Sequence, residues 1–188
     1  MSYSTWTVNG YGIDMGDINY DDLNFDKIRN LFETTDQAKK WFRDFVYAFI
    51  KESAEMNTAY EKALIDDTSI DLGAERQKYE IAFKILKKHA NFDDFLEYGE
   101  GECGERELAY LLKKAMEFGD ADVRIEYADD FDNNQFLLIL PHYSWDQLSD
   151  RERGMTKEQD VNALFHKYIR ILTDKPVYCS YYSVENGG

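Results

Sequence analysis

The sequence predicts an α+β fold: a small, mostly antiparallel sheet of about four strands covered by helices, with a helical insertion after the first strand. Three observations carry this. Aromatic and β-branched residues crowd both ends of the chain. Alternating and continuous apolar stretches lie between residues 123 and 140. Between these, apolar residues recur every three or four positions, the helical period. Only two prolines occur in 188 residues and no linker or repeat is evident, so the chain reads as one domain, 1–188, with 25–118 inserted between the first two strands.

Residues 3–8 are rich in aromatic and β-branched side chains and predict the first strand, and Asn9-Gly10 marks a turn or a bulge. Phe25, Ile28, Leu31 and Phe32 define a short amphipathic helix. Asp36 is the expected N-cap of the next, in which Trp41/Phe42, Phe45/Val46 and Phe49/Ile50 recur every four residues, with a break near 53–58. Tyr79, Ala82/Phe83 and Leu86 mark another helix, and residues 92–96 a further short one. Leu108, Leu111/Leu112 and Ala115/Met116 give a compact helix stopped at Gly119. Val123, Ile125 and Tyr127 then pair as a hairpin with the apolar run 136–140, which Pro141 is expected to end; residues 128–134 form its acidic loop. Thr156-x-x-Gln159 is a capping box before a helix ending near Asp174, and 177–184 is the last strand.

Charge is the strongest functional signal. The chain carries 37 acids and 22 bases, a net charge of −15. Residues 91–134 alone hold 14 acids against 4 bases. Such a chain is repelled by nucleic acid and by anionic membranes and is attracted to cationic surfaces. No apolar run exceeds six residues, far short of the roughly 20 that cross a bilayer. No leader pattern opens the chain, so a soluble cytoplasmic protein is expected. Cys103 and Cys179 lie far apart and suit a reducing compartment.

The motifs that resemble catalytic or cofactor sites fail on chemistry. Gly99-Glu100-Gly101-Glu102-Cys103-Gly104 spells a dinucleotide fingerprint, yet Glu100, Glu102 and Glu105 would repel a pyrophosphate. Residues 130–134 open like a calcium loop but place Gln135 where glycine is needed and Pro141 where a bidentate glutamate belongs. Asp14, Asp17, Asp21 and Asp22 lack the basic companions a nuclease needs. A Cys103/His142/Asp146 set has no supporting signature, and His89 and His166 read as helix-interface residues. The expectation is therefore a non-enzymatic protein with no cofactor and no metal. A carboxylate- or metal-dependent hydrolase is the rival reading that only geometry decides.

Residues 6–13, 138–145, 168–174 and 183–188 resemble short uncharacterised acidic proteins from phage and mobile-element regions of gram-positive bacteria. The resemblance implies a phage-associated protein of the kind that inhibits host defence. With the charge, it gives the leading expectation of a binding protein that occupies the basic groove of a nucleic-acid-binding protein, such as a CRISPR effector, by charge mimicry. The residues assigned to that contact are Asp93, Asp94, Glu97, Glu100, Glu102, Glu105, Asp129, Asp130 and Asp132. The alternative is a self-assembling protein whose acidity serves solubility alone.

Overall fold

A computed structural model describes residues 5–19, 22–71, 73–89, 104–119, 124–143, 145–146 and 158–187. Four strands and six α-helices occur among the described residues, in the order β1 (Thr5–Asp14), α1 (Phe25–Leu31), α2 (Asp36–Glu52), α3 (Ala54–Asp66), α4 (Glu75–His89), α5 (Gly104–Gly119), β2 (Ile125–Asp129), β3 (Gln135–Tyr143), α6 (Glu158–Ile169) and β4 (Ser180–Gly187). The fold is α+β, with a helical segment after β1. The expected short helix at 92–96 and the capping box at Thr156 lie outside the described residues. No described helix is long and apolar enough to cross a membrane.

The chain divides into two compact units, Phe32–Gly104 and the remainder. Thus α1 and α5 group with the sheet, and α2 to α4 form a unit of their own.

In the helical unit, α2, α3 and α4 each pack on the other two. Thr35, not Asp36, is the N-cap of α2: its side chain accepts the Ala38 N–H at 3.1 Å. A hydroxyl in extended backbone reaches that amide, and Asp36 instead supplies negative charge to the first turn. The expected break in the long helix falls at Ser53, which ends α2 and caps α3 by accepting the Met56 N–H at 3.2 Å. Phe32 stacks on Trp41 and Phe42, and Trp41 stacks in turn on Phe45. Tyr47 donates its hydroxyl to the Glu75 carbonyl and meets the Tyr79 ring, which ties α2 to α4.

In the other unit the strand order is β2-β3-β1-β4, antiparallel throughout. The sheet curls enough to bring β2 and β4, at opposite ends of that order, within 8 Å. Inside the curl sit Val8, Ala128, Phe136, Leu138 and Val184, with Tyr143 and Tyr182 packed against them. The opposite face buries Ile13, Ile125, Leu137 and Ile139, and α6 packs against β1. Carboxylates press on this interior: burial, then the charges of Asp14 and Asp17, raise the Tyr182 hydroxyl above its ordinary pKa.

β1 runs unbroken through Asn9 and Gly10 to Asp14. The irregularity lies opposite, on β3. Asn9 pairs with His142 and Tyr11 with Ile139, so two steps on β1 face three on β3. Leu140 and Pro141 form this bulge, and Leu140 takes a left-handed φ of 43°. Pro141 therefore does not end β3, because a bulge is where a strand tolerates a residue without an N–H. Arg124 fastens it from β2's side. Its carbonyl accepts the Leu140 N–H at 2.7 Å, and its guanidinium donates to the Pro141 carbonyl. At the chain's end, residues 177–179 are not strand. The Cys179 N–H is taken by the Asn162 side chain at 2.6 Å, and β4 starts one residue later and runs to Gly187.

Candidate binding site at the acidic hairpin loop

The hairpin of β2 and β3 closes with Asp129 opposite Gln135, leaving a loop of residues 130–134, shorter than the expected 128–134. Asp130 organises it. One carboxylate oxygen accepts the backbone N–H groups of Asp132 at 2.9 Å and Asn134 at 2.8 Å, and the other accepts the Asn134 side-chain amide at 2.9 Å. The Asp130 carbonyl accepts the Asn133 N–H, and its own N–H goes to the Asn134 carbonyl. Asn133 sits at φ 62°, a left-handed conformation that asparagine tolerates well. Burial alone would raise the Asp130 carboxyl, but the hydrogen bonds from Asn134 and Asp132 outweigh it and hold the pKa below the ordinary range.

The residues around Asp130 face outward. Phe131 is 59% exposed at the tip, beside exposed Asp132, and Asp129 is half-buried in the strand. An exposed phenylalanine held by a tight loop and bordered by carboxylates combines an apolar anchor with a charged rim. By charge alone Asp129, Asp130 and Asp132 share one role. The loop gives Asp130 a different one, since both its oxygens are taken up internally. Phe131 carries no charge and so escapes an assignment made on acidity, although it is the lone aromatic among the polar residues 129–135.

Asp130→Ala removes three hydrogen bonds to a carboxylate and is expected to cost about 1–2 kcal/mol of stability. Because the folded pKa is depressed, this contribution is present above the unfolded value near 3.9 and disappears as pH falls through the folded value. Urea denaturation at pH 7 and at pH 3 checks both points: the difference between wild type and variant shrinks at the lower pH.

Asp93, Asp94, Glu97, Glu100 and Glu102 lie outside the described residues, and Glu105 falls in the first turn of α5. Of the glycine fingerprint only Gly104 is described, as the first residue of α5. Among the carboxylates at and beyond the end of β1, Asp14 accepts the Gly16 N–H, and Asp22 accepts the Asn19 amide and the Asp174 N–H; Asp21 is outside the described residues. No group of three or more His, Cys, Asp or Glu side chains suited to a metal ion occurs among the described residues. His142 Nε2 lies 3.3 Å from the Tyr181 hydroxyl, and Asp146 accepts the Tyr143 N–H. Cys103 is outside the described residues. His89 and His166 are exposed in the last turns of α4 and α6, not buried at helix interfaces.

No protein-family model, curated protein or solved structure matches this chain.

Proposed function

We propose that this chain is a non-enzymatic acidic binding protein whose β2–β3 loop enters a basic groove on a nucleic-acid-binding protein. The observation that supports the reading is the fixed loop itself, with Phe131 at its tip and Asp132 beside it, both exposed, and Asp130 holding the turn. A rigid loop meets its partner with little ordering cost, and carboxylates compete for the Arg and Lys surface that would take phosphates. Asp129 adds charge at the root of the loop, and Asp93, Asp94, Glu97, Glu100, Glu102 and Glu105 extend it from the same acidic segment of the sequence. The resemblance to phage-region proteins makes a host defence protein the partner class, and a CRISPR effector, with its basic guide and target channels, a concrete candidate.

The test is capture of purified CRISPR effectors and other nucleic-acid-processing proteins by the full chain across a salt series. Binding weakens as salt rises, Phe131→Ala weakens it about tenfold, and Asp129→Asn with Asp132→Asn lowers its salt sensitivity. Capture indifferent to salt and to all three substitutions would sink the proposal.

A further inference from the structure

A second aromatic feature lies at the other end of β3, beyond the bulge. Trp145 is 63% exposed and lies flat on Tyr143, with ring centroids 4.8 Å apart and planes 5° from parallel. Tyr143 is fixed at both ends. Its hydroxyl donates to Glu126 Oε1 at 2.8 Å, and its backbone N–H donates to Asp146 Oδ2 at 2.9 Å. The second oxygen of each carboxylate has no hydrogen bond among the described residues. An indole is thus held open to solvent on a fixed ring, with one carboxylate on that ring's hydroxyl and a second on the backbone N–H of the same tyrosine.

We infer that Trp145, stacked on Tyr143 with Glu126 and Asp146 beside it, is a receptor for an arginine side chain of a basic partner protein. The inference rests on the proposal that the chain binds a basic partner, and it names a contact separate from the hairpin loop.

The chemistry selects the occupant. A guanidinium is planar and weakly hydrated, so it stacks on an indole face while its N–H fork reaches carboxylate oxygens. A lysine ammonium is a compact, strongly hydrated point charge and gains less from a flat ring. A nucleobase would stack equally well, but its phosphates would meet Glu126 and Asp146 in a chain of net charge −15. Arg124, the chain's own arginine near Tyr143, is held by the Pro141 carbonyl at the bulge.

The experiment titrates hexa-arginine, hexa-lysine and adenosine monophosphate into the full chain, following the Trp145 indole N–H by NMR and affinity by calorimetry. Hexa-arginine is expected to shift the Trp145 resonance, and Trp145→Ala to weaken its binding about two- to fivefold. Glu126→Gln, which keeps an acceptor for the Tyr143 hydroxyl, weakens it as well. Hexa-lysine binding changes less than twofold in either variant. The exposed position of Trp145 lets the alanine variant fold, and circular dichroism checks this. Unchanged hexa-arginine affinity in Trp145→Ala overturns the inference. So does an equal loss for hexa-lysine, or an equal Trp145 shift with adenosine monophosphate. Phe131→Ala separates the two proposals: partner capture lost there but kept in Trp145→Ala leaves the loop standing and removes this site, and the reverse pattern does the opposite.

Discussion

Phe32→Ala is expected to lower the unfolding free energy by about 4 kcal/mol, the usual cost of emptying a buried phenylalanine site. Phe32 is 1% exposed, and its ring lies 4.8 Å from Phe42 and 5.2 Å from Trp41, stacked on both. The loss has two parts, the transfer of the ring out of water and the stacking that area burial does not count. Phe32→Leu restores most of the volume but none of the stacking, so it should cost roughly half as much or less. Urea denaturation followed by circular dichroism and by tryptophan fluorescence checks both variants. A loss below about 1 kcal/mol for alanine would mean that the stack does not order the helical unit.

Gly12→Ala acts by the opposite means, adding one carbon where there is no room. A Cβ on Gly12 would collide with the Leu137 carbonyl oxygen and lie 2.9 Å from Leu138 Cα. The obstacle is backbone of the paired strand, and no side-chain rotation relieves it. The β1–β3 ladder must spread where both strands are most buried, at an expected cost of about 3 kcal/mol, or roughly 6–12 °C in Tm for a chain of this size. Gly10→Ala is the internal comparison. Its Cβ would approach the Ile139 carbonyl at 3.2 Å, a crowding that small shifts absorb, so about 1 kcal/mol is expected. Equal effects of the two substitutions would refute the assigned β1–β3 register.

The elements most legible in the sequence were those whose pattern reports burial directly. Leu108, Leu111, Leu112, Ala115 and Met116 repeat with the helical period and are all buried in α5. The run 136–140 reads as a central strand and pairs on both sides, with β1 and β2. Less legible were features decided by single hydrogen bonds. Thr35 and Asp36 are both good capping residues, and only the chain's entry angle determines which one meets the Ala38 amide. Pro141 looked like a stop because proline cannot donate to a ladder. The sequence does not reveal that Arg124, 17 positions earlier, holds the bulge that accommodates it.

The site divides along the same line. Acidity at 129–132 is visible in composition, and so is a loop. That one of the three aspartates turns its carboxylate into its own backbone depends on the positions of Asp132 and Asn134, which are set only when the hairpin closes. The pairing of Trp145 with Tyr143 and Glu126 joins residues from two strands and had no sequence signal beyond the aromatics themselves.

The Leu140–Pro141 bulge has a consequence for what each side of β3 displays. Up to Ile139, even-numbered residues such as Phe136 and Leu138 look into the curl, and odd-numbered ones look out. Past the extra residue the parity is exchanged: Tyr143, opposite Val8, joins the interior, and His142 is placed on the outer side against Tyr181. Were the same residues to run as a regular ladder without the bulge, the imidazole would be driven into the apolar cluster and the tyrosine would swing away from Glu126, taking Trp145 with it. A left-handed leucine, a conformation that costs about 1–3 kcal/mol, is what lets one strand line a core along one half and arm a surface along the other.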